Sequence, residues 1–356
     1  MLTIAQQIEE IEAVIRKTPH HKATNAFIGN MRAKISKLKD KEAVASKKGG
    51  GGGGMGYSVK KQGDATIALV GPPSAGKSTL INKITNTKSK VAAYAFTTVT
   101  VIPGMLKYND AYIQILDIPG LIQGASIGKG RGKEVLSVAR GADLLVIMTD
   151  IKRPKAINKL VNELEGAGIR INKVEPKVRI EKMMGGGVSV TSNIKQDFDN
   201  ETIKSVASEF GFKNGNIALK EKLTIDQLVD SFSRRIVYKK AIFVVNKADT
   251  DIEKKNSDYL YISAENGTGI ENFIQTIWNE LDLVKIYLVR RDQEPSQENP
   301  IIMKKHNTLQ DVADSIGTEF ASGKKLAKVW GNGSKFPGQE LPLSSNVVEG
   351  MQIRFI

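Results

Sequence analysis

Apolar positions repeat with two different periods along this chain, and the change of period separates its parts. Ile4, Ile8, Ile11 and Ile15 recur at helical spacing, which predicts an amphipathic helix over Ile4–Lys17 that stops before Pro19. Ile28, Met31, Ile35 and Leu38 form a second stripe and predict a helix opening near Thr24, with Lys34, Lys37, Lys39 and Lys41 over much of its remaining surface. Two such helices joined by Thr18–His21 are too small to enclose a core, so the hairpin must dock on the rest of the protein or on a partner. The glycine run Gly49–Gly54 then ends the helical arm and reads as a linker or hinge. Beyond it the pattern changes to continuous apolar runs. Thr66–Val70, Tyr112–Leu116, Asp143–Thr149 and Ala241–Val245 predict strands of a parallel α/β sheet, and Ala156–Ala167 and Ile270–Leu281 predict helices beside it.

Two stretches do not belong to that alternation. Between Asp150 and Tyr238 the chain is far longer than one crossover helix requires. After the helix at Ala156–Ala167 it predicts strands at Ile169–Val174, Val178–Lys182 and Gly185–Thr191 and a helix near Thr202–Phe210, an α+β insertion. From Lys285 onward, Lys285–Val289, Pro300–Met303, Ala327–Trp330 and Met351–Ile356 read as strands. A helix opened by Thr308, with Val312, Ala313 and Ile316 facing inward, lies between them and predicts a small mixed sheet crossed by one helix. Trp330 is predicted to be buried in that core, although Lys324, Lys325, Lys328 and Lys335 around it could also make a nucleic-acid surface.

Composition narrows the class of protein. The net charge of +14 points to a polyanionic partner, RNA or a ribosome first and an anionic membrane second, against the plainer reading of a lysine-rich solvated surface. The absence of cysteine excludes disulfides, thiolate metal sites and thiol nucleophiles, and fits a reducing cytosol. No apolar run approaches the roughly 20 residues that span a bilayer, and the N-terminus lacks a signal-peptide pattern. A cytoplasmic, monomeric protein that does not use a membrane is expected. His20 and His21, with only the distant His306 in addition, do not make a convincing metal site.

The chemistry lies at the ends of the predicted strands. Thr66–Val70 runs into Gly71-Pro72-Pro73-Ser74-Ala75-Gly76-Lys77-Ser78 and then an amphipathic helix, the strand, loop and helix order of a phosphate-binding P-loop. Glycines let the loop curl so that successive N–H groups face one anion, and the helix N-terminus adds its dipole. Lys77 is placed to neutralise the β- and γ-phosphates and Ser78 to ligate Mg²⁺. Asp117, ending the next strand in Asp117-Ile118-Pro119-Gly120, can reach the Mg²⁺ shell, and Gly120 can give its N–H to a γ-phosphate. Thr97 or Thr98 could complete the metal's coordination. At the end of the Ala241–Val245 strand stands Asn246-Lys247-Ala248-Asp249. A carboxylate there accepts both N1–H and N2–H of guanine, a pair of donors that adenine lacks. Tyr261-Ile262-Ser263-Ala264 offers backbone to the guanine O6.

In combination, GPPSAGKS, YAFTTVTVIPG, DIPGLIQGASIGKGRGKE, NKAD and SAENGTG closely resemble the Obg-like GTPases, specifically the developmentally regulated GTP-binding protein (DRG) branch of archaeal type. The resemblance covers nearly the whole chain. It implies a helix-turn-helix arm at 1–48, a Gly-rich linker at 49–62 and a Ras-like P-loop G domain at 63–152 and 238–284. It further implies an inserted α+β domain at 153–237, similar to the second domain of ribosomal protein S5, and a C-terminal β-grasp (TGS) domain at 285–356. The implied function is a GTP-binding, GTP-hydrolysing switch associated with ribosomes and translation, in a family whose eukaryotic members work with a dedicated partner protein. By motif, Ser74, Ala75, Gly76, Lys77, Ser78 and Thr79 bind phosphates, and Ser78 and Thr98 ligate Mg²⁺, with Thr97 the alternative. Asp117 acts on Mg²⁺ through water, Gly120 contacts the γ-phosphate, and Asn246, Lys247, Asp249, Ser263 and Ala264 hold guanine.

Two departures limit the implied catalysis. Leu121 follows Gly120 where Ras-type enzymes place a water-orienting glutamine, and Gln123 replaces the glutamate of many relatives. No catalytic residue is therefore named, and hydrolysis is expected to be slow, near the unassisted rate of roughly one turnover per hour. Ser74 stands where K⁺-stimulated relatives carry asparagine, so a K⁺ requirement is left open. An alternative function, a GTP-dependent RNA-modifying or metabolic enzyme with its substrate on the insertion, lacks support because no His, Asp or Glu cluster lies outside the nucleotide motifs. Use of ATP conflicts with Asp249.

Overall fold

The computed structural model describes residues 2–19, 21, 24–45, 62–85, 102–118, 132–249 and 256–356. Helices α1 (Ile4–Lys17) and α2 (Asn25–Ala45) come first, followed by β1 (Ala65–Val70), α3 (Lys77–Ile84), β2 (Ile102–Tyr108) and β3 (Ala111–Asp117). Next are α4 (Gly132–Gly141), β4 (Leu144–Asp150), α5 (Ala156–Gly166), β5 (Ile169–Ile171), β6 (Val178–Lys182) and β7 (Val188–Ser192). They lead to α6 (Asn200–Glu209), β8 (Gly215–Leu219), α7 (Ile225–Phe232), β9 (Val237–Asn246), β10 (Leu260–Tyr261) and α8 (Ile270–Glu280). The chain closes with β11 (Leu283–Leu288), β12 (Pro300–Lys304), α9 (Leu309–Ile316), α10 (Thr318–Ser322), β13 (Leu326–Trp330), β14 (Gln339–Pro342) and β15 (Gln352–Phe355). These elements form two compact units, one from described residues of 57–121, 137–160 and 240–356, the other from those of 1–56, 122–136 and 161–239.

The first unit is built on a sheet of order β10-β9-β4-β1-β3-β2, parallel except for β2, which runs antiparallel to β3. Every residue of β1 and β4 is buried, as the uninterrupted apolar runs require of strands covered on both faces. The chain leaves β1 toward β2 and β3 on one side and then crosses from β3 to β4 on the other side of β1, so a crevice opens at the C-terminal ends of these strands. Val70, Asp117, Asp150 and Asn246 end β1, β3, β4 and β9 there. The sequence pattern does not predict strand β2, because Pro103 and Gly104 interrupt it. The glycine is required: a Cβ at Gly104 would lie 2.7 Å from methyl groups of Ile81 and Thr85, where α3 crosses the sheet.

The same unit carries a second sheet, β12-β11-β15-β13-β14, whose core of Val284, Ile286, Val329 and Ile353 is covered by Leu309, Val312 and Ala313 of α9. Ion pairs Lys304–Asp143 at 2.9 Å and Lys285–Asp110 at 3.0 Å join it to the first sheet. Three expectations change. Ile316 is 41% exposed rather than inward: it is the last residue of α9, and Ala321 of α10 joins the core instead. Trp330 is half-buried rather than a core residue, because Ala327 and Val329 take the inward positions of β13 and alternation sends Trp330 to the other face. There the Arg354 guanidinium lies 5.1 Å from its ring centroid. Strand β14 and helix α10 are additions to the predicted order.

In the second unit, β6, β8 and β7 form a three-stranded sheet backed by α6 and α7, and α2 docks on those two helices. Ile28 is buried, and Ala33 joins Phe198, Ile203, Val206 and Leu228 in one core. Gly29 permits the approach, since a Cβ there would lie 3.1 Å from Val206 Cγ2. Arg32 pairs with Asp226 at 2.5 Å and Arg235 with Asp40 at 3.2 Å, fixing both ends of the docked stretch. The arm therefore finds its core on the insertion. Helix α1 buries none of its residues. Val174, expected within a strand, is exposed beyond the end of β5. The glycine run lies outside the described residues, as does His20.

Candidate functional site

The loop between β1 and α3 is shaped by backbone that few residues adopt. Ser74 has φ of 61° and Gly76 φ of 91°, both left-handed, which turns successive peptide groups to the same side. Gly71 and Gly76 are obligatory for a second reason. A Cβ at Gly71 would meet the Met148 carbonyl oxygen at 2.3 Å, and one at Gly76 would meet Asn246 Nδ2 at 2.2 Å. Ala75 is buried whereas Ser74, Ser78 and Thr79 are exposed, so the loop presents hydroxyls and backbone to the crevice.

Lys77 and Asp117 form the charged centre. The Lys77 ammonium donates to the carbonyls of Gly71 at 3.1 Å and Pro72 at 3.3 Å and lies 3.9 Å from Asp117 Oδ1. Burial pushes its pKa below the ordinary lysine value, and the Asp117 charge acts in the opposite direction. Ser78 Oγ donates to Asp117 Oδ2 at 2.7 Å. Asp117 Oδ1 is buried without a hydrogen bond. An orphaned carboxylate oxygen beside a serine hydroxyl is an all-oxygen donor set that fits Mg²⁺, which prefers hard ligands and keeps several of its waters.

The remaining motif residues converge on the outside of the loop. Asn246, buried at the end of β9, donates Nδ2 to the Ala75 carbonyl at 2.9 Å and accepts from the Ala264 N–H at 2.9 Å. Lys247, with φ of 62°, donates to the Ser74 carbonyl at 3.1 Å. Ser263 is buried, and its Oγ accepts from the Asn266 N–H at 3.2 Å. Asp249 is exposed in the turn after β9. One sheet end thus gathers the P-loop, Asp117, Asn246, Lys247, Asp249, Ser263 and Ala264.

A family model described as "50S ribosome-binding GTPase" matches residues 66–181, and one described as "C-terminal region of MMR_HSR1 domain" matches 185–283. An uncharacterised GTP-binding protein of Methanocaldococcus jannaschii is 40% identical over 98% of this chain and 92% of its own length. Developmentally-regulated GTP-binding protein 1 of Xenopus laevis is 39% identical over 94% of both chains, and developmentally-regulated G-protein 3 of Arabidopsis thaliana 39% over 96% and 95%. The chain belongs to the DRG family of GTPases. It binds GTP and GDP and hydrolyses GTP, and its first sheet is the P-loop G-domain fold.

In this DRG protein several predicted residues hold the phosphate-binding loop itself. Asn246 and Lys247 grip carbonyls of the P-loop itself, and the Ala264 N–H bonds Asn246. Thr97, Thr98, Gly120, Leu121 and Gln123 lie outside the described residues. One participant was missed. Arg153 NH2 donates to the Pro73 carbonyl at 3.0 Å and also bonds Asp150 Oδ2, while Arg153 Nε reaches the same carboxylate oxygen at 3.0 Å. The Arg153 hydrogen bond holds the Asp150 carboxyl below its ordinary pKa, and Asp150 raises that of Arg153. The only trace in the sequence is an aspartate at a strand end with arginine three residues on. Among the described residues no group of three His, Asp or Glu could hold a metal ion, and no helix is long and apolar enough to cross a membrane.

Proposed function

We propose that this DRG GTPase is a slow, Mg²⁺-dependent molecular switch that reports its nucleotide state to a ribosome. In this reading Ser74 to Thr79 take the phosphates, and Ser78, Thr98 (or Thr97) and, through water, Asp117 hold Mg²⁺. Mg²⁺ supplies neutralisation of charge on the β- and γ-phosphates. Lys77 adds its own charge at the same place, Gly120 contacts the γ-phosphate, and Asp249 accepts from guanine. Asn246 and Lys247 brace the loop behind the nucleotide. Ser263 and Ala264 complete the guanine wall, the Ala264 N–H being shared with Asn246 Oδ1. Ser74 is the residue that would face a K⁺ ion, and equal hydrolysis in Na⁺ and K⁺ would remove that element.

The ribosome reading rests on the net charge of +14, which favours a polyanionic counterpart, and accords with the ribosome-binding description of the matching family model. The arm offers Lys34 and Lys41 as exposed cations, and residues 285–356 form the second proposed contact, read as a TGS domain. A dedicated protein partner, cytoplasmic location and a monomeric state complete the proposal. Sedimentation with ribosomes in a non-hydrolysable GTP analogue and in GDP tests it. Co-sedimentation that depends on the nucleotide is expected, and equal absence from ribosomes in both states overturns it.

A further inference from the structure

Three successive carbonyls of the P-loop are held from outside. Pro73 O accepts from Arg153 at 3.0 Å, Ser74 O from Lys247 at 3.1 Å and Ala75 O from Asn246 at 2.9 Å. In a planar trans peptide the carbonyl of one residue and the N–H of the next point in opposite directions. Pulling these three carbonyls outward therefore turns the N–H groups of Ser74, Ala75 and Gly76 inward, the arrangement that binds an anion. The Ala75 N–H is only weakly engaged within the protein, by a long 3.4 Å bond to Pro72 O. Lys247 and Asn246 belong to the guanine motif. Arg153 belongs to none.

Arg153 is built into place. Its carbonyl accepts from the buried Thr149 hydroxyl at 2.9 Å, and its N–H donates to the Asp150 carbonyl at 3.0 Å. Asp150, buried to 4% exposure, is fixed in turn by the Lys152 N–H at 3.1 Å. The Ile151 N–H ties this turn to the Asn246 carbonyl at 3.1 Å. The planar fork of arginine lets one side chain bond a carboxylate through Nε and NH2 while NH2 also reaches a carbonyl, which lysine's single ammonium cannot reproduce at that geometry. A surface ion pair alone would not need an anchored backbone and a buried acid.

We propose that Arg153 is a positioning residue for the phosphates of the guanine nucleotide. Held by Asp150, it fixes the Pro73–Ser74 peptide so that the Ser74 N–H faces the phosphates. The inference rests on the guanine-nucleotide reading of the site and adds a residue that no nucleotide motif contains.

The test compares GDP, titrated by calorimetry, with guanosine, titrated at millimolar concentration by NMR, on wild type, Arg153→Ala, Arg153→Lys and Asp150→Asn. Arg153→Ala is expected to weaken GDP about tenfold with guanosine affinity unchanged, about 1.4 kcal/mol. Arg153→Lys should recover part of the loss, and Asp150→Asn should lose affinity in the same direction as Arg153→Ala. GDP affinity unchanged in Arg153→Ala, or GDP and guanosine weakened by the same factor, overturns the role of Arg153 alone. Wild type that binds neither ligand overturns the site reading as well.

Discussion

Asn246 joins Ala75 of the P-loop through a 2.9 Å hydrogen bond from its side-chain amide, while the same amide accepts from the Ala264 backbone at 2.9 Å. One buried side chain therefore fixes the distance between the P-loop, the end of β9 and the Ser263–Ala264 segment. Asn246→Ala leaves a buried N–H and a buried carbonyl unmade, at about 1–3 kcal/mol each. Loss of stability of that order by denaturant unfolding without nucleotide, together with about a hundredfold weaker GDP binding, is expected.

Gly76→Ala tests the same contact from the other side. The new Cβ would press on Asn246 Nδ2 at 2.2 Å with φ at 91°, so both the loop and the asparagine must shift. Left-handed backbone costs an alanine about 1–2 kcal/mol before any clash is counted. A lower melting temperature and no measurable GDP binding should follow.

Asp150 supplies a pH dependence. Its folded pKa is depressed, chiefly by the Arg153 hydrogen bond, so its contribution to stability is present above the unfolded carboxyl's value, near about 3.9, and is lost as pH falls through the lower folded value. The stability difference between wild type and Asp150→Asn should be full at neutral pH and shrink below about pH 4. Denaturant unfolding from pH 3 to 7 measures it.

Asp249→Asn should weaken GDP about a hundredfold, because the amide accepts one guanine donor and opposes the other. Xanthosine diphosphate, with an acceptor at that edge, should then bind the variant better than GDP does. Competition titration reads both changes.

The docked arm gives a test remote from the nucleotide. Ala33 is fully buried in the core that α2 shares with Val206 and Leu228 of the insertion, so the overpacking change Ala33→Leu should cost about 1–3 kcal/mol of that unit's stability. Unchanged unfolding would show that the arm does not share the insertion's core.

The parallel strands and the nucleotide loops were legible because each rule involved is local. Strands covered on both faces give apolar runs, and a loop that wraps an anion needs glycine at fixed places. What escaped depends on contacts between distant segments. Gly104 reads as a strand breaker until Ile81 and Thr85 are seen above it. Ile316 satisfies the helical period of α9, yet the helix ends there and leaves it outside. Trp330 has the size of a core residue, but the register of Ala327 and Val329 had already filled the inward face. Arg153 carries no motif, and its role depends on the approach of Pro73, which is 80 positions earlier in the chain.

Parallel equilibrium titrations of the full chain with GTP and ATP, in the presence of Mg²⁺ and with phosphate release followed in the same samples, test the central claim most directly. Selective binding of GTP with slow release of phosphate is the predicted result. ATP bound as tightly as GTP, or no release of phosphate from GTP, would contradict the account.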